Sequence, residues 1–66
     1  MLKNRVRELR ARFRFTQEEL AKRVGVTRQT IAFIEKGEFA PSVILALKIA
    51  RQFEGTVEEV FWLEGE

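Results

Sequence analysis

Helix-starting and helix-ending residues alternate along this chain at short intervals, and that punctuation constrains the fold more than any other feature. Thr16, Thr27, Ser42 and Thr56 each precede an apolar-periodic stretch, eleven to fifteen residues apart. A hydroxyl oxygen there accepts an amide that the first turn of a helix leaves without a partner. Glu19 and Glu59 follow Thr16 and Thr56 by three residues, the spacing of a capping box. Gly25, Gly37 and Gly55 close the intervening segments, where glycine tolerates the positive φ of a helix end. Helices this closely punctuated have room for about four turns at most.

Periodicity fills in the segments. Leu2, Val6, Leu9 and Phe13 step by four, three and four, which predicts a first helix capped by Asn4, with Met1–Lys3 as an extended arm. The second helix spans about 17–24 and buries Leu20, Ala21 and Val24. The third spans about 28–36, turns Ile31 and Ile34 inward and ends at Gly37. Ser42 opens a fourth that buries Leu45, Ile49 and Phe53, with Gly55 as its stop. A fifth, of one to two turns, carries Val57, Val60 and Phe61. The expected architecture is all-α: five short helices in a single domain over residues 1–66, with a minor strand pair between the tail and Leu2.

A 66-residue chain buries only about 60% of its unfolded surface on folding, which leaves a marginal core. It has no cysteine, histidine, aspartate or tyrosine, and Ser42 is its one serine. Disulfides, thiolate metal sites and histidine-based catalysis are therefore ruled out. Glu58 and Glu59 are adjacent, and helical neighbours do not face one another. No enzyme, metal site or cofactor is expected. No apolar run approaches the roughly 20 residues of a membrane span. The basic start, MLKNRVRELR, has no apolar stretch behind it, so export is not expected and the cytoplasm is the predicted location.

Charge is unevenly divided. Residues 1–36 hold ten Lys or Arg against four Glu, a net +6, whereas residues 37–66 hold two against six, a net −4. Such a dipole suits either a solvated basic face or the binding of a polyanion, nucleic acid being the natural one.

The region from Gln17 to Ile34 narrows the choice. Ala21 lies four residues before Gly25, and Ile31 and Ile34 follow that glycine by six and nine. Two helices crossing through a three- or four-residue turn need a small residue at the approach, a glycine at the turn and aliphatics on the second helix. An ordinary helical hairpin and a DNA-binding helix-turn-helix share that spacing.

TQEELAKRVGVTRQTIAFIEKG, followed by PSVILALKIARQF and TVEEVF, resembles the Cro/repressor (XRE-type) helix-turn-helix family, and in particular its small stand-alone dimeric regulators. The resemblance runs from LRARFRFTQEELA to FWLEGE. It implies a lambda-repressor-like fold and a sequence-specific regulator, a repressor above all, that reads double-stranded DNA. Gln17 matches a phosphate anchor, and Thr27, Arg28, Gln29 and Phe33 match positions facing the major groove. Arg10 and Glu35 match an ion pair that is architectural. Where relatives often carry Lys, Tyr and Asn, this chain has Glu38, Phe39 and Ala40, which implies a weaker contribution from that loop.

A turn of 100° per residue, with Ile31 and Ile34 inward, independently leaves Arg28, Gln29, Ala32, Phe33 and Lys36 on the outer face. Lys36 and Arg14 are candidate phosphate contacts, with Thr30 a secondary DNA-binding candidate. Phe33 suits a thymine methyl or a fold-back onto Phe39 and Pro41 equally. One such module covers few base pairs, so a homodimer on a pseudo-palindromic operator is expected. Ile44, Phe61, Trp62 and Leu63 are its interface candidates, Trp62 serving equally as a lid on the monomer core. The alternative is an antitoxin or adaptor that uses the same fold to grip a protein partner.

Overall fold

The computed structural model describes residues 1–65. Strand β1 (Leu2–Asn4) leads into α1 (Val6–Phe13), α2 (Gln17–Val24), α3 (Arg28–Glu35), α4 (Val43–Gln52) and the single turn α5 (Val57–Val60), and the last described element is β2 (Phe61–Leu63). The strands pair antiparallel, Leu2 opposite Leu63 and Asn4 opposite Phe61. Five helices and a two-stranded terminal sheet are thus the architecture the punctuation predicted.

The caps explain the boundaries. Thr16 Oγ1 accepts the Glu19 amide at 3.0 Å and the Glu19 carboxylate accepts the Thr16 amide at 2.9 Å. Thr27 and Ser42 accept the amides of Thr30 and Leu45, and Glu59 accepts the Thr56 amide at 2.7 Å. At the end of α3, Gly37 adopts φ 77°. The Gly37 amide donates to Ile34 O and that of Glu38 to Phe33 O, which is the paired bonding of a Schellman ending.

Three details differ from the sequence expectation. Asn4 lies at the end of β1, and α1 begins only at Val6. Asn4 still accepts the Val6 amide at 3.0 Å, while its Nδ2 donates to Ile34 O at 2.9 Å and ties β1 to the end of α3. At the end of α4 the left-handed residue is Glu54, φ 57°, and not Gly55. A Cβ at Gly55 would lie 2.9 Å from Glu59 Oε1, so the box carboxylate would have to shift to admit a side chain there. Phe61 belongs to β2 and not to α5.

Val6, Leu9, Leu20, Ala21, Val24, Ile31, Ile34, Ile49, Phe53, Val60 and Phe61 form the core with Ala46 and Ala50. Ala21 allows α2 and α3 to approach across the Gly25 turn, where φ is 79°. Phe13, Phe15 and Phe53 form a triangle with ring centroids 5.5–6.2 Å apart. This aromatic cluster closes the side of the core between α1, α2 and α4.

The two box carboxylates carry a pH signature. Backbone hydrogen bonds, from Thr16 to Glu19 and from Thr56 to Glu59, hold both carboxyls below the ordinary glutamate range. A carboxyl more acidic in the folded than in the unfolded chain contributes stability above the unfolded value, about 4.3. That contribution disappears as pH falls through the lower folded value. Melting temperature is therefore expected to drop on acidification below that point. Glu19→Gln retains the back-bond and removes the titration, so its melting temperature near neutrality stays close to the parent's while its acid slope flattens. An unchanged acid slope would remove Glu19 from the titrating set.

Candidate nucleic-acid interface

Burial of Ile31 and Ile34 against the core turns the opposite side of α3 to solvent. Arg28, Gln29, Phe33 and Lys36 are all exposed there, with Ala32 half-buried between them. The ring of Phe33, 39% exposed, supplies an apolar patch on an otherwise polar face. Arginine and glutamine are the side chains whose donors match the edges of guanine and adenine.

Behind that face lies a hydrogen-bonded chain. Arg10 Nε donates to Glu35 Oε2 at 2.6 Å and its Nη2 donates to Oε1 at 3.3 Å, while Nη1 reaches Phe15 O at 3.0 Å. The side chains of Arg10 and Glu35 are only 17% and 6% exposed. Gln17, the first residue of α2, donates from Nε2 to Glu35 Oε1 at 3.0 Å and accepts from Arg28 Nη1 at 3.2 Å. The pair thus joins α1 to α3, and Gln17 extends the junction to the first residue of the exposed face. In the free protein both ends of the Gln17 amide have protein partners.

The two threonines are engaged locally. Thr27 Oγ1 accepts the Thr30 amide at 3.2 Å, and the two hydroxyl oxygens lie 3.0 Å apart. Arg14, in the left-handed conformation with φ 62°, is exposed and shares a groove at the start of α2 with Thr16, Gln17, Lys22 and Arg28.

The interface candidates separate. Ile44 and Leu63 are 68% and 60% exposed, whereas Phe61 is a core residue and cannot reach a partner, which corrects its place among the candidates. Its alternation with Trp62 along a strand turns it inward. Trp62 is half-buried beneath the Arg5 guanidinium, 4.9 Å from the ring centroid.

Two features escaped the sequence reading. Arg7 is exposed and lines a cleft with Ala32 and Lys36 of the α3 end. Its spacing of three from Arg10 places both on one face of α1 and was the available signal. Val43 and Leu47 stand exposed beside Ile44, so α4 presents an apolar strip at positions i, i+1 and i+4. Among the described residues, no group of carboxylates could hold a metal ion, and no helix is long and apolar enough to cross a membrane.

Comparison with known proteins agrees with this geometry. The helix-turn-helix family model matches residues 6–60. An HTH-type transcriptional regulator of Bacillus subtilis strain 168 is 60% identical over 65 residues, covering 98% of each chain. One from Archaeoglobus fulgidus is 54% identical over 65 residues, covering 98% of this chain and 92% of its own. Among solved structures, the restriction-modification controller protein C.AhdI of Aeromonas hydrophila superposes with a TM-score of 0.77 at 33% identity, over 83% of both chains. The clp gene regulator ClgR of Corynebacterium glutamicum shares the fold, with a TM-score of 0.76 at 24% identity over 82% of this chain and 57% of its own. With its capped α2, glycine turn and outward-facing α3, the chain belongs to the XRE-type helix-turn-helix family of DNA-binding transcriptional regulators.

Proposed function

We propose that this regulator is a cytoplasmic repressor, that it binds a pseudo-palindromic operator as a homodimer, and that the single domain acts without a cofactor or catalytic step. The observation that carries this reading is the two-sidedness of α3, with Ile31 and Ile34 buried and Arg28, Gln29, Phe33 and Lys36 exposed. Arg28 and Gln29 read base edges, and Phe33 meets a thymine methyl. Gln17, Arg14 and Lys36 contact phosphates. Thr27, whose hydroxyl caps α3, contributes its backbone amide at the helix start, and Thr30, whose amide that cap holds, contributes its hydroxyl. Arg10 and Glu35 hold α3 at its angle and touch no base.

Two recognition helices must lie one DNA turn apart, about 34 Å. The exposed strip of Val43, Ile44 and Leu47, with Leu63 and the rim of Trp62 as further candidates, supports self-association. That strip also favours the second reading, an antitoxin or adaptor gripping another protein. A complex with a protein partner that persists at high salt without DNA would support it.

Selection of duplexes from a random pool tests the main reading and reveals the half-site spacing. Enrichment of an inverted repeat is expected, and no enrichment would overturn it. With the selected duplex, Gln29→Ala should lose about 5- to 150-fold in discrimination against random DNA, the equivalent of roughly 1–3 kcal/mol. Its affinity for random duplex should stay near the parent's. An unchanged ratio would remove Gln29 from the base-reading set.

A further inference from the structure

We propose that Arg7 and Lys36 form a phosphate-binding clasp across the mouth of the α1–α3 cleft, gripping a phosphodiester of the DNA strand that passes beside α1. This inference rests on the regulator reading above and adds to it a site on the opposite flank from Arg14 and Arg28.

The cleft has a volume of about 230 Å³ and is lined by Arg7, Arg10, Gln17, Ala32, Glu35 and Lys36. Its one carboxylate, Glu35, is saturated by Arg10 Nε and Nη2 and by Gln17 Nε2. Glu35 and Arg10 therefore cancel, and the field at the opening is set by Arg7 and Lys36. Both are exposed, and neither joins an ion pair among the described residues. Most other cations of the basic half are engaged. Arg12 is bonded to Glu8 at 3.0 Å, Lys22 lies 3.7 Å from Glu18, and Lys3 lies 3.9 Å from Glu64. Arg5 and Arg23 lie over the rings of Trp62 and Phe15. That leaves two groups of uncommitted or weakly held charge flanking α3, Arg14 with Arg28 at its start and Arg7 with Lys36 at its end.

The floor of the cleft is suited to close approach. Ala32, which lines the cleft with the two cations, projects only a methyl group. The loop that follows α3 supplies no cation, because Glu38, Phe39 and Ala40 occupy it, so a phosphate near that end must be neutralised from α1 and from Lys36. A guanidinium fork and an ammonium on one phosphodiester combine a directed, two-pronged bond with a mobile point charge. Phosphate contacts carry no base information, so the clasp sets the docking angle of α3 and acts alike on every sequence.

The salt dependence of binding by the full chain tests this, with the selected duplex and a random duplex as probes. Each phosphate contact contributes about 0.9 to the slope of log affinity against log salt. The proposed homodimer carries two clasps, each on one phosphodiester, so opening them by Arg7→Ala or by Lys36→Ala should flatten the slope by about 1.8, the parent's advantage shrinking roughly 12-fold between 50 and 200 mM salt, and combining the two substitutions should flatten it no further. The loss should be equal on both duplexes, and Arg7→Lys should recover the slope. Arg12→Ala removes the same charge from the side of α1 that faces Phe53 and Glu58, and should leave the slope at the parental value. A parental slope in Arg7→Ala, or an equal drop in Arg12→Ala, would overturn the clasp while leaving the regulator reading intact. Failure of the unsubstituted chain to enrich any duplex would overturn the regulator reading and, with it, the clasp.

Discussion

Glu35→Ala is expected to destabilise the protein by about 3 kcal/mol or more, the cost of leaving one partner of a largely buried ion pair without the other. The structure supports that range. The Glu35 carboxylate is nearly inaccessible, and its removal frees Arg10 Nε and Nη2 and Gln17 Nε2 at once. The Arg10 guanidinium, mostly buried, then keeps only Phe15 O. Chains of this size have a total stability of roughly 3–10 kcal/mol, so the variant should be partly unfolded at room temperature or melt at least about 12 °C lower. The double replacement Arg10→Met with Glu35→Leu should recover most of the loss, because it leaves no unpaired charge. Thermal unfolding of the single and double variants checks both statements. A loss under about 1 kcal/mol for Glu35→Ala would show that solvent reaches the pair and screens it.

Ile31→Ala should cost about 2–5 kcal/mol, as for other large-to-small changes at fully buried sites. Ile31 has no exposed surface and lies in the cluster that seats α3 on the core. Its truncation removes apolar contact and leaves a void, and the neighbouring Leu20, Ile34 and Ile49 are themselves fully packed. Urea unfolding should show a lower midpoint with an unchanged slope. The folded fraction should keep its preference among duplexes, since the outer residues of α3 are untouched. This is the converse of Gln29→Ala, which spares stability and loses preference. An Ile31→Ala midpoint equal to the parent's would mean that α3 is seated by something other than this contact.

The chain was most legible where a local rule decides the outcome. Thr16 with Glu19, Thr27, and Gly37 set the ends of α2 and α3 to within a residue, because a cap acts over three or four positions and leaves a residue-type signature. The buried face of α3 followed from Ile31 and Ile34, and the exposed face followed by rotation. Reading failed where an alternative local choice was equally good. Asn4 suits the cap of α1 as well as the end of a strand, and only the pairing of β1 with β2 places it in the strand. Phe61 could extend α5 or turn inward from β2, and the register with Asn4 selects the second. Glu54 adopts a left-handed conformation unusual for a non-glycine residue and the adjacent Gly55 does not, so residue type pointed to the wrong one of the two positions.

Helical punctuation, the charge dipole and the outward residues of α3 were all legible in the order of residues, since each depends on interactions within about one helical turn or on a simple count. That Gln17 bridges Glu35 and Arg28, that Arg7 lines one cleft with Lys36, and that Phe61 fills the core while Ile44 does not emerged from the folded chain alone. Those facts depend on how α1, α3 and the terminal strands meet in space. Residues separated by eighteen or twenty-nine positions carry no local signature of the side chain they will face.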